Sequence, residues 1–161
     1  MGDTVYTDYN TIISTLEELY VLSDIVQTVE GVLRRVRALR EALLAYLLAP
    51  PSSDAAAKKE LVAELGRVEF RLKSRRDTGN GGGDYLEGDE ITYGDMELAF
   101  TLAHLRAALP HFKGWSLPES SELLQRYTST VLDMQVFKET VPSDAAIIAR
   151  YEALGAVKSK K

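Results

Sequence analysis

The chain has 161 residues, 45% hydrophobic and 27% charged, with 19 Lys and Arg against 24 Asp and Glu, a net charge of −5. That length supports one domain with its own core. With no cysteine and only two histidines, His104 and His111, disulfides, a thiol nucleophile, thiolate metal sites and a multi-histidine metal centre within one chain are excluded. The acidic balance argues against nucleic-acid binding.

Residues 1–33 hold six acids and no Lys or Arg. Within them Ile12, Ile13, Leu16, Leu19 and Tyr20 recur at helical spacing and predict a short helix, an extra N-terminal segment over about residues 1–27. Val29, Val32, Val36, Leu39, Leu43 and Leu47 predict a stronger helix, which Pro50 and Pro51 stop. Ser53 or Asp54 caps a third, with Ala57, Leu61, Leu65, Val68 and Leu72 on its apolar face. The Gly-rich run over 78–84 reads as a flexible loop; it lacks the Gly-Lys-Ser/Thr of a phosphate-binding loop.

Thr92 and Asp95 have the spacing of a capping box, flanked by Ile91 and Met96 as a hydrophobic staple. Read as a cap alone, Asp95→Ala is expected to cost ~1 kcal/mol. The helix behind it is apolar on most sides to Leu109, and Pro110 is expected to end it. Ser116 and Glu119 form a second box, with Pro118 in the first turn of a helix lined by Leu123, Leu124, Tyr127, Val131 and Met134. Pro142 breaks the chain and Ser143 caps a last helix bearing Ile147, Ile148, Tyr151 and Leu154, which Gly155 ends. Residues 156–161 read as a frayed tail. No strand pattern competes, so the expectation is one all-α bundle over 1–161 with six or seven helices.

Charge is distributed in blocks. Residues 34–76 hold eleven Lys and Arg and five acids; residues 77–104 hold seven acids and no Lys or Arg. The basic stripe, with Arg34, Arg35 and Arg37 at its head and Lys58, Lys59, Arg67, Arg71, Lys73, Arg75 and Arg76 behind them, suits an acidic protein partner or the chain's own acidic segments. Solvated helix faces account for it as well. Asp84, Glu87, Asp89 and Glu90 lack the D-x-D-x-D-G spacing of a calcium loop and read as a solvated loop. Glu97, Thr101 and His104 make a narrow polar stripe on an apolar helix, and nothing assembles Ser121, Ser129, His104 and Asp133 into a triad. No catalytic residue, cofactor or metal is implied. No apolar run reaches the roughly 18 residues a membrane-spanning helix needs. The start MGDTVYTDYN has no hydrophobic core and too much acid for a secretory signal or transit peptide. A soluble protein of the cytoplasm or an organelle interior is expected, with the compartment left open.

From Asp84 onward the chain resembles the C-terminal helical domain of the glutathione transferase superfamily, nearest to plant-type dehydroascorbate reductases and chloride intracellular channel proteins. Three stretches carry the resemblance. Tyr85-Leu86-Glu87-Gly88-Asp89-Glu90-Ile91-Thr92-Tyr93-Gly94-Asp95 is similar to the family's loop and N-capping box before its central helix. His111-Phe112-Lys113-Gly114-Trp115-Ser116-Leu117-Pro118-Glu119-Ser120 is similar to the reductases' entry to the next helix. Tyr127 and Phe137-Lys138-Glu139-Thr140-Val141-Pro142-Ser143-Asp144 resemble the Phe…Thr-x-Pro stretch before the last helix. Together these cover about 70 residues in the family's order.

In that superfamily a thioredoxin-like domain binds glutathione and supplies the catalytic Cys, Ser or Tyr. The helical domain supplies a wall of the substrate pocket and much of the dimer interface. Residues 1–83 show no βαβ pattern and no C-x-x-C or C-x-x-S. The resemblance therefore implies a non-catalytic domain that acts as a structural or protein-interaction subunit of a larger assembly. It would dock through the face that normally meets the thioredoxin-like domain, with Tyr6, Tyr9, Ile12 and Leu16 as further interface candidates beside Arg34, Arg35 and Arg37. Other protein subunits are the expected partners; a homodimer and a peripheral place in a membrane complex are compatible. Two alternatives stand beside it: the helical half of a glutathione-dependent reductase or transferase whose other half is a separate chain, and a binder of small hydrophobic ligands using Tyr127 and Trp115.

Overall fold

The computed structural model describes residues 23–77, 83–118 and 121–159. They form six α-helices: α1 Ser23–Leu48, α2 Asp54–Asp77, α3 Tyr93–Lys113, α4 Glu122–Leu132, α5 Gln135–Thr140 and α6 Asp144–Ala153. No strand occurs among the described residues, only an isolated bridge between Tyr85 and Gly88. The expected all-α bundle is the observed one.

Apolar residues three and four apart put one stripe of each helix inward. In α1 the stripe is Val32, Val36, Leu39, Leu43 and Leu47; in α2 it is Leu61, Leu65, Val68 and Leu72, and all nine are buried. A five-residue link holding Pro50 and Pro51 joins the two as a helical hairpin. Helix α3 is the centre, packing against α1, α4 and α6. It buries Leu98, Leu102, Leu105 and Leu109 almost completely. The approach of α1 to α3 is close enough to need a glycine: a Cβ on Gly94 would lie 2.5 Å from Val32 Cγ1.

Several boundaries differ from the sequence expectation, each for a local reason. Helix α1 begins at Ser23, so the segment boundary expected near residue 27 falls inside it; residues 1–22 lie outside the described residues. Pro110 does not end α3. The helix runs one turn further to Lys113, where Phe112 and Lys113 are buried and Gly114 closes it in the left-handed conformation at φ 59°. Burial of that last turn offsets the hydrogen bond the proline cannot donate.

Ser116 does not cap α4, which starts at Glu122 behind Ser121. Pro118 sits in a turn before the helix instead, its carbonyl accepting from the Ser121 N–H at 3.1 Å and from Gln125 Nε2 at 2.9 Å. Glu119 lies outside the described residues. The helix expected to reach Met134 stops at Leu132, and α5 is a separate short helix. Ser143 does cap α6, accepting from the Ala146 N–H at 3.3 Å. The tail is tied down through Ser159 rather than frayed: Val157 N–H donates to Leu47 O and Ser159 N–H to Phe112 O, each at 2.8 Å. Of the Gly-rich loop, residues 78–82 lie outside the described residues, as do 160–161 at the C-terminus.

Candidate functional site

Helix α3 carries two polar centres. The first is at its N-terminus, where Thr92 and Asp95 form the reciprocal capping box. Asp95 does more than cap. Its side chain is wholly buried, and Oδ2 accepts from the Thr92 N–H at 2.8 Å and the Thr92 hydroxyl at 2.6 Å. Oδ1 accepts from the Leu86 N–H at 2.8 Å and the Tyr127 hydroxyl at 2.7 Å. One carboxylate thus joins the loop before α3, the start of α3 and the middle of α4. Burial first, then the Asp95 charge and hydrogen bond, push the Tyr127 phenol far above its ordinary range, so it stays a donor. Four donors saturate the carboxylate. The centre is architectural, and it places Tyr127 in the core rather than in a ligand pocket. Trp115 is likewise engaged, edge-on to Tyr46 with centroids 6.4 Å apart and under Lys58 Nζ at 5.1 Å.

The second centre is a cleft of about 370 Å³ between α1, α3 and α6, lined by Arg40, Leu43, Leu44, Glu97, Phe100, Thr101, His104, Arg150, Tyr151 and Leu154. Glu97, Thr101 and His104 are the polar stripe expected from sequence; they fall on one side of α3 because they are spaced by four and three residues. Thr101 is buried and its hydroxyl donates to the Glu97 carbonyl at 3.1 Å. Arg40 Nη2 donates to Glu97 Oε2 at 2.7 Å, and the Tyr93 hydroxyl to Oε1 at 3.1 Å. The Arg40 hydrogen bond holds the Glu97 carboxyl below its ordinary range, more than burial raises it.

His104 Nδ1 lies 3.0 Å from the Tyr151 hydroxyl, with the rings edge-to-face at 5.6 Å. Burial first, then the Arg150 and Arg40 charges, lower the imidazole's affinity for a proton; burial raises the Tyr151 phenol. The pair is therefore neutral near pH 7, set between two guanidinium groups. The bond to Tyr151 also disposes of a triad: Asp133 pairs with Lys138 at 3.2 Å, on a different part of the fold.

Of the other residues singled out in the sequence, Arg34, Arg35 and Arg37 stand exposed on α1 and bond to no carboxylate among the described residues. Tyr6, Tyr9, Ile12 and Leu16 lie outside the described residues. The basic stripe is partly spent within the chain: Arg67 pairs with Glu64, and Arg71 bonds to Glu87 at 2.8 Å. Asp84 pairs with Arg126 at 2.9 Å. No group of acids or histidines among the described residues could hold a metal ion. Sequence reading missed Arg40, Arg150 and Tyr151 as cleft residues, because they join the α3 stripe from helices about 50 residues away on either side.

No family model matches the chain. It is 31% identical over 112 residues to glutathione S-transferase DHAR2 of Arabidopsis thaliana, covering 70% of this chain and 49% of that protein. Probable glutathione S-transferase DHAR1, cytosolic, of Oryza sativa subsp. japonica is 34% identical over 92 residues, 57% of this chain and 40% of that one. The chloride intracellular channel Clic of Drosophila melanogaster is 28% identical over 108 residues, 67% of this chain and 39% of that one. The crystal structure of Chlamydomonas reinhardtii dehydroascorbate reductase superposes with a TM-score of 0.65 at 24% identity, covering 94% of this chain and 68% of that one. The chain is a homologue of these glutathione transferases and chloride intracellular channel proteins. Its fold is that of a glutathione transferase C-terminal-like helical domain. It spans about half the length, or less, of the curated relatives it matches. No described helix of this transferase-like domain is long and apolar enough to cross a membrane.

Proposed function

We propose that this transferase-like helical domain is not itself a catalyst and serves as a protein-interaction subunit of a larger assembly, docking through the face formed by α1 and α3 around the cleft. The observation that carries this reading is the apolar surface there. On α3, Tyr93 is 58% exposed and Met96 43%, and Leu44 of α1, Phe100 and Leu154 are exposed where they line the cleft. Met96 and Phe100, on a helix expected to be apolar on most sides, lie at the surface. Apolar side chains left exposed around a cleft point to an interaction site. The chain also carries no cysteine, the residue its reductase-type relatives' chemistry would suggest first.

The test is affinity isolation of the chain from its native source at mild salt, run beside a Phe100→Asp variant and read by mass spectrometry. The reading expects defined protein subunits with the unaltered chain and their loss with the variant. Equal recovery with both overturns docking through this face.

A second reading is favoured by the relatives, whose names are those of glutathione S-transferases and of which the chain spans about half. On that reading it is the helical half of a glutathione-dependent enzyme, and a thioredoxin-like partner subunit supplies the cysteine. Calorimetry with glutathione separates the two. Binding only by the assembled complex, together with a thioredoxin-fold subunit in the isolate, favours the enzyme; no binding by either favours the interaction subunit.

A further inference from the structure

We propose that the cleft between α1, α3 and α6 is a binding site for a small amphipathic carboxylate, its acid group held by Arg150 beside Arg40 and its apolar body on Leu44, Phe100 and Leu154. The cleft's volume, about 370 Å³, lies in the range of small-ligand pockets. Its lining is divided in the way such a ligand requires. The floor holds Leu43, fully buried, and Tyr151, nearly so; the walls are partly exposed apolar side chains. The polar groups differ in what they have left to give.

Among the described residues Glu97 is the one acid in the lining, and both its oxygens are engaged, by Arg40 and by Tyr93. Arg150 bonds to no carboxylate among the described residues. Among the described residues Arg40 and Arg150 against Glu97 leave one cation in excess, with the His104–Tyr151 pair neutral beside it. One surplus guanidinium, able to bond a carboxylate through two N–H groups, balances a single negative charge. A multiply charged anion such as phosphate would lack a second free cation and would gain nothing from the apolar walls. A neutral hydrophobe would draw on the apolar walls but gain nothing from the Arg150 guanidinium. The chemistry selected is one carboxylate on a short aryl or alkyl body.

This inference does not depend on protein docking, since it concerns the isolated chain. The test is calorimetric titration of the full chain with phenylbutyrate, with phenylbutyramide and with inorganic phosphate. Saturable one-to-one binding of phenylbutyrate is expected, with the amide weaker by about tenfold or more, the loss of a charge-assisted pair. Arg150→Gln, a substitution at an exposed position, should reduce the acid's affinity to that of the amide and leave the amide's unchanged. Leu154→Asn should weaken both ligands together.

A second readout is the His104 imidazole followed by NMR. It faces Arg40 from α1, Glu97 from its own helix and Arg150 and Tyr151 from α6. A bound carboxylate should move its titration to higher pH, and Arg150→Gln should abolish the move. No saturable binding, equal affinity for acid and amide, phosphate binding as tightly as phenylbutyrate, or an unaltered affinity in Arg150→Gln would each overturn the assignment.

Discussion

Replacing Asp95 by alanine tests whether the start of α3 is a helix cap or the joint of the fold. A cap alone is worth about 0.5–2 kcal/mol. The structure requires more. The substitution removes the acceptor for two donors deep in the protein, the Leu86 N–H and the Tyr127 hydroxyl, both on residues 3% exposed. Each buried donor left unsatisfied costs about 1–3 kcal/mol. Adding the lost cap, and allowing for water entering the space and for relief of a buried charge, gives about 3–5 kcal/mol. That is a large share of the roughly 5–15 kcal/mol that holds a domain together.

Urea unfolding followed by circular dichroism reads it as a lower midpoint at unchanged slope. Tyr127→Phe provides the internal control, because it deletes one bond without leaving a donor stranded, and should cost about 1 kcal/mol. In the double variant no phenol remains to be stranded. Its total should fall short of the sum of the singles by about 1–2 kcal/mol. A cost near 1 kcal/mol for Asp95→Ala, additive with Tyr127→Phe, would refute the joint and return the residue to a simple cap.

The His104 imidazole binds a proton more weakly in the folded chain than in the unfolded one, from burial and the Arg150 and Arg40 charges. Its stabilising contribution is therefore complete above the unfolded value of about 6.5 and is lost as pH falls through the lower folded value. Thermal unfolding across that window should show a fall in Tm that His104→Gln diminishes; parallel pH profiles would contradict it. Gly94→Ala places a methyl 2.5 Å from Val32 Cγ1 and should cost about 1–3 kcal/mol by overpacking, with Val32→Ala restoring part of it in the double variant. Lys113 has no exposed side-chain surface; its Nζ donates to Asp54 Oδ1 at 2.7 Å and lies 4.9 Å from the Tyr46 ring centroid. Lys113→Met keeps the stem but strips Asp54 of its cation, and about 2 kcal/mol should be lost, less than for a fully buried pair because Asp54 is partly solvated. Unchanged stability would mean the pair only breaks even against its desolvation.

What was legible in the sequence is what helical periodicity encodes. Val32, Val36, Leu39, Leu43 and Leu47 read as one buried stripe and are one; the same holds for Leu61, Leu65, Val68 and Leu72. Features set by distant contacts were misread. Pro110 reads as a stop from local rules, yet burial of Phe112 and of Lys113, whose partner Asp54 is 59 residues away, carries α3 past it. The C-terminal tail looks free of structure in composition, but backbone bonds to Leu47 and Phe112 hold it. Asp95 was visible as a cap through its spacing to Thr92. Its bond to Tyr127, 32 residues on, has no local signature, so a cap alone predicts a smaller cost than the buried network does.

The two polar centres of α3 show how to separate architecture from function in such a helix. Both are carried on the helix that forms the bundle's centre, and both contain ionisable groups, wholly buried at Asp95 and partly exposed at the cleft. At Asp95 every acceptor site is matched by a donor from the chain itself, and nothing remains to bind with. At the cleft the account does not close: Glu97 is satisfied, while among the described residues Arg150 lacks a counter-charge and the apolar walls are only partly covered. Closing the first centre required only contacts within the bundle. The second assembles groups from α1, α3 and α6 and leaves one positive charge beside exposed apolar surface. Arg150 already serves the fold as a cation in the last turn of α6, and the proposed carboxylate would add the counter-charge that the bundle does not supply.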